Sequence, residues 1–188
     1  MSIVVGIEAE GQVWLAGDSL TTIGKHRIIH DGKRHEWPNM VLAFVGCARI
    51  QNLIGKLGRE PHRIDDDIPE LMATLRAEII ADGWTPNKEE GDPQDWGVEG
   101  LIASRSGLWH VASDFAVLQA HPDQIIAIGS GREYAAGAAA VLDGAHPEAR
   151  LDRAVEVAIA LDDYCGGPVW QYGIICGKPH LVETEESA

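Results

Sequence analysis

The sequence predicts an α+β fold in which two antiparallel sheets stack face to face and a pair of helices covers each outer side. Two observations carry this prediction. The segments follow the order strands, two helices, strands, two helices, strands, and consecutive helix pairs are not the strict alternation of a parallel α/β sheet. The run Met40–Val45 is apolar throughout, which is typical of a strand covered on both faces.

Strands are predicted over the first part of the chain. Ile3–Ile7 and Gln12–Ala16 are joined by an acidic turn that ends in glycine, which indicates a hairpin. His26–His30 and Lys33–Trp37 flank the turn signal Asp31-Gly32, which indicates a second hairpin.

Two helices and a loop follow. Helices are predicted at Ala48–Leu57 and at Ile68–Ala81, where apolar residues recur at helical spacing beneath an acidic outer face. A long loop is predicted over 83–97, with Trp84 and Trp96 packing its ends against the protein. The remaining predicted segments are strands at Leu101–Ser104, Leu108–Ala112 and Ile125–Ile128, helices at Gly131–Leu142 and Leu151–Tyr164, and strands at Tyr172–Cys176 and His180–Glu183.

Composition excludes several classes of partner. The 188 residues hold 15 Lys and Arg against 29 Asp and Glu, a formal net charge of −14. Nucleic acids and anionic membranes are bound by clustered Lys and Arg, so neither is an expected partner.

The length suits one domain, residues 1–188. Apolar runs fall short of the roughly 18 residues of a spanning helix and the start lacks a basic signal region, so we expect a cytoplasmic protein.

Neither a metal nor a cofactor is expected. Cys47, Cys165 and Cys176 are odd in number and widely spaced, which indicates reduced thiols rather than disulfides or a zinc site. The Gly129-Ser130-Gly131 turn is superficially similar to a dinucleotide-binding turn, but Tyr134 replaces the third glycine of that motif.

The start of the chain suggests a nucleophile. Met1 precedes the small residue Ser2, and removal of such a methionine leaves an amine and a hydroxyl on one residue. An α-amine, with an ordinary pKa of about 7.7–8.0, can act as the base that activates its own side chain. Taken singly, Ser2, an Asp18 that ends a strand and a Lys33 that begins one are weak signals.

Together the motifs resemble the proteasome-type family of N-terminal nucleophile hydrolases, most closely bacterial HslV peptidases and proteasome β subunits. That family has a four-layer αββα sandwich, the layer order predicted above. The matching segments are Ser2-Ile3-Val4-Val5, Gly11-Gln12-Val13, Ala16-Gly17-Asp18-Ser19, Lys33-Arg34-His35-Glu36, Phe44-Val45-Gly46, Ile126 to Gly131 with Tyr134-Ala135, and Asp162 to Gly167.

The resemblance implies a role for each matching residue. Ser2 would be the nucleophile, Lys33 would lower the pKa of its amine, and Asp18 would keep Lys33 charged. Ser130 and Asp162 would hold the amine by hydrogen bonds. The further implied residues are Gly46, whose backbone N–H would stabilise the oxyanion, Cys165 and Gly129 in supporting positions, and Thr21, Asp31, Phe44 and Ala48 around the substrate pocket.

The resemblance also implies a ring-forming, self-compartmentalising peptidase that acts on peptides or unfolded proteins, with a separate ATPase as unfoldase. Two alternatives stay open: a non-proteolytic structural homologue and a small-molecule amidase. Three departures from the family pattern bear on that choice. The nucleophile is Ser rather than Thr, Cys165 stands where a Ser is usual, and a shortened connection leaves Arg34 as an alternative to Lys33.

Overall fold

The computed structural model describes residues 2–30, 32–57, 67–84, 95–176 and 181–182. The strands within these ranges are β1 (Ile3–Ala9), β2 (Gln12–Asp18), β3 (Leu20–Ile23), β4 (His26–Ile29), β5 (Arg34–Trp37), β6 (Met40–Gly46), β7 (Val98–Ser104), β8 (Gly107–Val111), β9 (Val117–Gln119), β10 (Ile126–Gly129), β11 (Val169–Ile175) and β12 (Leu181–Val182). The helices are α1 (Ala48–Leu57), α2 (Ile68–Ala81), α3 (Arg132–Val141) and α4 (Pro147–Leu161).

The strands form two five-stranded sheets and a short ribbon. The first sheet has the order β10-β1-β2-β11-β12, the second has the order β5-β6-β7-β8-β9, and β3 pairs with β4 in the ribbon. Neighbouring strands are antiparallel in both sheets. The predicted α+β fold is therefore confirmed at the level of its sheets.

Three apolar clusters separate four layers. One packs α1 and α2 onto the second sheet, one packs α3 and α4 onto the first sheet, and one lies between the sheets. Strand β6 shows why a continuous apolar run was informative. Its side chains alternate between faces, so that Phe44 points to the helices while Val45 faces the other sheet, and both environments exclude water.

The second predicted hairpin is wrong. Strand β4 pairs with β3 through a two-residue turn after Ile23, in the register Ile23↔His26, and β5 pairs with β6 instead. A two-residue turn at Gly24-Lys25 joins antiparallel strands directly, and it competes with the Asp31-Gly32 turn signal. The strands β3 and β9 were not predicted, because each is short and carries no alternating pattern.

The helices α1 and α2 have the predicted bounds, while α3 and α4 differ from prediction at their ends. Helix α4 begins at Pro147, because proline is favoured in a first helical turn, and it ends before Asp162.

Trp84 and Trp96 both pack against the apolar cluster beneath α1 and α2, as predicted, while residues 85–94 of the predicted loop lie outside the described ranges. Within the described ranges no helix is long and apolar enough to cross a membrane.

Candidate active site

Ser2 lies immediately before β1, close to the turn that follows β10. Ser2 is only 3% exposed. Its carbonyl oxygen accepts a hydrogen bond from the Ser130 hydroxyl over 3.4 Å and lies 3.5 Å from the Gly131 nitrogen. A Cβ on Gly129 would stand 2.1 Å from that same oxygen, so the close approach of the two strands requires glycine there.

An ion pair between Asp18 and Lys33 is buried beside this strand. The Lys33 ammonium Nζ lies 2.6 Å from Asp18 Oδ1, and the two side chains are 1% and 0% exposed. Buried charges persist only where they are paired and hydrogen-bonded. Here the remaining acceptor capacity is used, because Oδ1 also accepts from the Ile3 N–H over 3.0 Å and Oδ2 accepts from the Gly166 N–H over 2.9 Å.

Strand pairing brings these groups together from distant parts of the chain. In the β1–β2 register Val4 stands opposite Gly17, so Asp18 reaches the Ile3 N–H directly after Ser2. Lys33 immediately precedes β5, and its carbonyl oxygen accepts from the Phe44 N–H over 2.9 Å. The first sheet therefore supplies Ser2 and Asp18, and the second supplies Lys33.

The charge of Lys33 depends on Asp18. Burial is the largest influence on the Lys33 pKa and holds it below its ordinary value of 10.5. The attraction and hydrogen bond of Asp18 act in the opposite direction and limit that decrease. A loosened contact with Asp18 would therefore lower the pKa of Lys33 further.

A second polar group adjoins Ser2. The Cys165 thiol donates to Asp162 Oδ2 over 3.4 Å. Burial, reinforced by the carboxylates of Asp18 and Asp162, raises the pKa of Cys165 to about 12, so the thiol stays protonated at neutral pH. Burial alone would raise the pKa of Asp162, but hydrogen bonds from Ser130, the Tyr164 N–H and Cys165 outweigh it and lower that pKa.

The pocket residues are less well supported than the polar groups. Phe44 is 0% exposed and its side chain packs in the apolar cluster beneath α1 and α2, so its place in the substrate pocket stays a prediction. Thr21 is half-buried, with its hydroxyl 2.7 Å from His30 Nε2, and Ala48 is half-buried at the start of α1. Asp31 lies outside the described residues. Gly46 is exposed at the end of β6, two positions beyond Phe44.

Arg34 does not replace Lys33. Its guanidinium lies 4.8 Å from the Tyr172 ring centroid and 5.9 Å from that of Trp170, and its Nε lies 3.8 Å from Glu36 Oε1. Because Lys33 occupies the place beside Asp18, the alternative that gave Arg34 this role is wrong.

Two contacts of Asp18 were missed by sequence reasoning. The indole N–H of Trp170 donates to the Asp18 carbonyl oxygen over 3.2 Å, and the Gly166 N–H donates to the carboxylate. Both donors lie more than 140 positions along the chain from Asp18, and no local pattern links them to it. Within the described ranges, no three His, Cys, Asp or Glu side chains are grouped so that they could hold a metal ion.

This arrangement suits proton transfer and nucleophilic attack. Ser2 precedes the residue whose N–H binds the Asp18 carboxylate, and that carboxylate is paired with the buried Lys33 cation. The Ser2 carbonyl oxygen also accepts from Ser130. An amine held beside a cation loses its proton more readily, and it can then accept the proton of a neighbouring hydroxyl.

Comparison with known proteins establishes the fold. The sequence matches no family model and no curated protein. A structure of Thiobacillus denitrificans BPH in complex with epoxomicin aligns at a TM-score of 0.79 with 22% identity, over 94% of this chain and 100% of that chain. A second structure of Thiobacillus denitrificans BPH aligns equally well, over 93% of this chain and 98% of that chain. Eukaryotic HslV from Trypanosoma brucei aligns at a TM-score of 0.64 with 20% identity, over 91% and 98% of the two chains. The chain therefore has the HslV-type αββα fold, and the resemblance predicted from its motifs is confirmed at that level.

Proposed function

We propose that the chain is a subunit of a self-compartmentalising peptidase that hydrolyses peptide bonds through an N-terminal nucleophile, Ser2. The observation that carries this proposal is the buried Asp18–Lys33 pair, whose carboxylate also binds the backbone N–H of the residue after Ser2. A purely structural subunit gains little from a buried ion pair, because its desolvation cost rivals its attraction.

The reaction begins once Met1 is removed. The free α-amine of Ser2 takes the proton of its own hydroxyl, and Oγ attacks the carbonyl carbon of the peptide bond. The positive charge of Lys33 lowers the pKa of the amine by repulsion, so the amine is unprotonated at neutral pH. Ser130 and Asp162 would hold the amine by hydrogen bonds, which is supported by the Ser130 hydroxyl's contacts with the Ser2 carbonyl oxygen and with Asp162.

The tetrahedral intermediate then collapses. The backbone N–H of Gly46 stabilises its oxyanion, a contribution of about 3–4 kcal/mol in comparable sites. The C–N bond breaks, the α-ammonium returns its proton to the leaving amine, and an ester remains on Ser2. A water molecule, deprotonated by the same amine, attacks the ester and releases the acid.

The proposed assembly follows from the proposed chemistry. An unselective peptidase free among cytoplasmic proteins would degrade them, so we infer a homo-oligomeric ring that encloses the sites. Entry of folded proteins into such a chamber requires an unfolding machine, and we propose a separate ATPase for that step. The single domain of residues 1–188 and its cytoplasmic location are part of the same proposal.

Cys165 favours a second candidate, a non-proteolytic homologue of the same fold. Its thiol is protonated and donates to Asp162, and a thiol is a weaker hydrogen-bond partner than a hydroxyl. In this candidate the protein keeps the polar groups around Ser2 but does not hydrolyse peptides.

Peptide hydrolysis separates the two candidates. The chain that begins at Ser2 is assayed on a panel of short fluorogenic peptides, beside Ser2→Ala and the matched variant Ser113→Ala, which alters an exposed serine after β8. The peptidase proposal predicts that Ser113→Ala retains full hydrolysis and that Ser2→Ala loses at least about a thousandfold. Equal hydrolysis by wild type and Ser2→Ala contradicts it, and no hydrolysis by wild type favours the non-proteolytic candidate.

A further inference from the structure

Two tryptophans occupy matching places on either side of the β2–β11 pair. Trp170 on β11 stands opposite Gly17, and Trp14 on β2 stands opposite Gly173. Each ring covers the glycine across from it: a Cβ on Gly17 would meet the Trp170 ring at 2.4 Å, and one on Gly173 would meet the Trp14 ring at 3.0 Å. The position of each tryptophan ring therefore requires glycine at the residue opposite it.

The two rings face different layers and have different polar contacts. Trp170 lies between the sheets, 5% exposed, and its indole N–H donates to the Asp18 carbonyl oxygen over 3.2 Å. Trp14 lies beneath α3 and α4, 6% exposed, and its buried indole nitrogen has no hydrogen-bond partner in the part of the chain that the structure describes. Packing is common to both, and the hydrogen bond belongs to Trp170 alone.

The Trp170 hydrogen bond acts at the place where β2 ends. Asp18 is the last residue of that strand, and its carboxylate has to meet Lys33 and the Ile3 N–H at the same time. The indole fixes the Asp18 backbone from the β11 side, while Gly17 lets the ring approach. The guanidinium of Arg34, which belongs to the second sheet, lies 5.9 Å from the Trp170 ring centroid. The Trp170 ring therefore lies near groups from both sheets.

We propose that Trp170 is a positioning residue for the active site: its indole N–H holds the Asp18 backbone so that the carboxylate meets Lys33 in the geometry that keeps Lys33 charged. This inference rests on the proposed function for its effect on catalysis. Its effect on Lys33 is independent of whether the protein hydrolyses anything.

The test compares three proteins with the wild type. Trp170→Phe removes the N–H and keeps an aromatic ring, and Trp14→Phe makes the same change where the N–H has no partner. In the third protein, nonsense suppression places β-(3-benzothienyl)alanine at position 170. Its sulfur replaces the N–H in a ring of nearly the same size, so this protein keeps the packing should Trp170→Phe fail to fold.

The first readout is the titration of the Lys33 ammonium, followed through its Nζ and Cε resonances by NMR. We expect both position-170 variants to titrate at lower pH than the wild type, because a loosened Asp18 no longer opposes the effect of burial. Trp14→Phe should titrate as the wild type does. Identical titration of Lys33 in the wild type and the benzothienyl protein would overturn the proposal.

The second readout is peptide hydrolysis. Loss of one hydrogen bond that orients Asp18 predicts a kcat lower by about three- to tenfold with KM little changed, and an alkaline limb of the pH–rate profile at lower pH. A merely structural role for Trp170 would lower the melting temperature and leave that limb in place, which would contradict the proposal. Should the wild type hydrolyse no peptide, the proposed function fails, and the Lys33 titration still decides the role of Trp170.

Discussion

Lys33 and His35 are two basic side chains, two positions apart, that the fold treats in opposite ways. Lys33 is enclosed beside Asp18 and shares a 2.6 Å contact with its carboxylate. His35 lies on β5 and packs toward Gly55 of α1, and its buried Nε2 has no hydrogen-bond partner among the described residues. Burial lowers the pKa of His35 from 6.5 to about 4, so this side chain is neutral at neutral pH.

The difference shows what a buried cation requires. An imidazole can escape the desolvation penalty by releasing its proton, and burial is the cause that lowers the pKa of His35 within the described part of the chain. Lys33 is paired with the Asp18 carboxylate. That carboxylate is oriented by three donors: the Lys33 ammonium, the Ile3 N–H and the Gly166 N–H. Such an arrangement points to a use for the charge, whereas the surroundings of His35 point to packing alone.

The largest effect is expected from breaking the Lys33 pair. Lys33→Met leaves the Asp18 carboxylate buried without its cation, and we expect the free energy of unfolding to fall by about 3–5 kcal/mol. His35→Leu, which removes a neutral group without a partner at Nε2, should change it by less than about 1 kcal/mol at pH 7. Urea unfolding at pH 7 measures both.

The double variant Lys33→Met/Asp18→Asn sharpens this result. Because it removes both charges, it should be more stable than Lys33→Met alone. Equal losses from Lys33→Met and His35→Leu would contradict the contrast between the two sites.

An intermediate effect is expected from pH. The pKa of His35 in the folded protein, about 4, lies below its ordinary value of 6.5, so the unfolded chain binds the proton first. Stability from this group is therefore lost as pH falls from about 6.5 toward 4, by on the order of 2 kcal/mol after allowance for residual solvent contact. Unfolding of wild type and His35→Leu across that range isolates the effect. Parallel curves for the two proteins would refute it.

The smallest effect is expected at Cys165. Cys165→Ser exchanges one donor to Asp162 for another, so the free energy of unfolding should change by less than about 1 kcal/mol. In the wild type, burial raises the pKa of this thiol to about 12, so a disulfide reagent should modify Cys165 only on unfolding. Counting thiols that react before and after denaturant, in wild type and Cys165→Ser, tests this. Rapid modification of Cys165 in the native protein would show that it is not enclosed.

Sequence periodicity predicted the layers well because their cause is local. The apolar faces of α1 and α2 and the two-sided β6 can be read from neighbouring residues, and the structure has them. Competition between two turn signals was harder to judge, so the pairing of β4 was predicted wrongly. Turn residues alone do not show which neighbouring strand forms the more stable set of backbone hydrogen bonds with β4.

The active site divides in the same way. Ser2, Asp18 and Lys33 were predicted through the family resemblance, and the structure brings Asp18 and Lys33 into contact. The proposed role of Trp170 was not predicted, because it depends on the register that sets Trp170 opposite Gly17 and on a hydrogen bond to a distant backbone oxygen. Long-range strand pairing of this kind has no local pattern in a single sequence.

The most direct test of the proposed function is the N-terminus of the protein made without a tag in its own cells. Intact mass and N-terminal sequencing together report whether Met1 is present. We expect a chain that begins at Ser2 and carries the free amine that the mechanism requires. A chain that retains Met1 throughout would have no such base, and it would contradict the assignment of Ser2 as an N-terminal nucleophile.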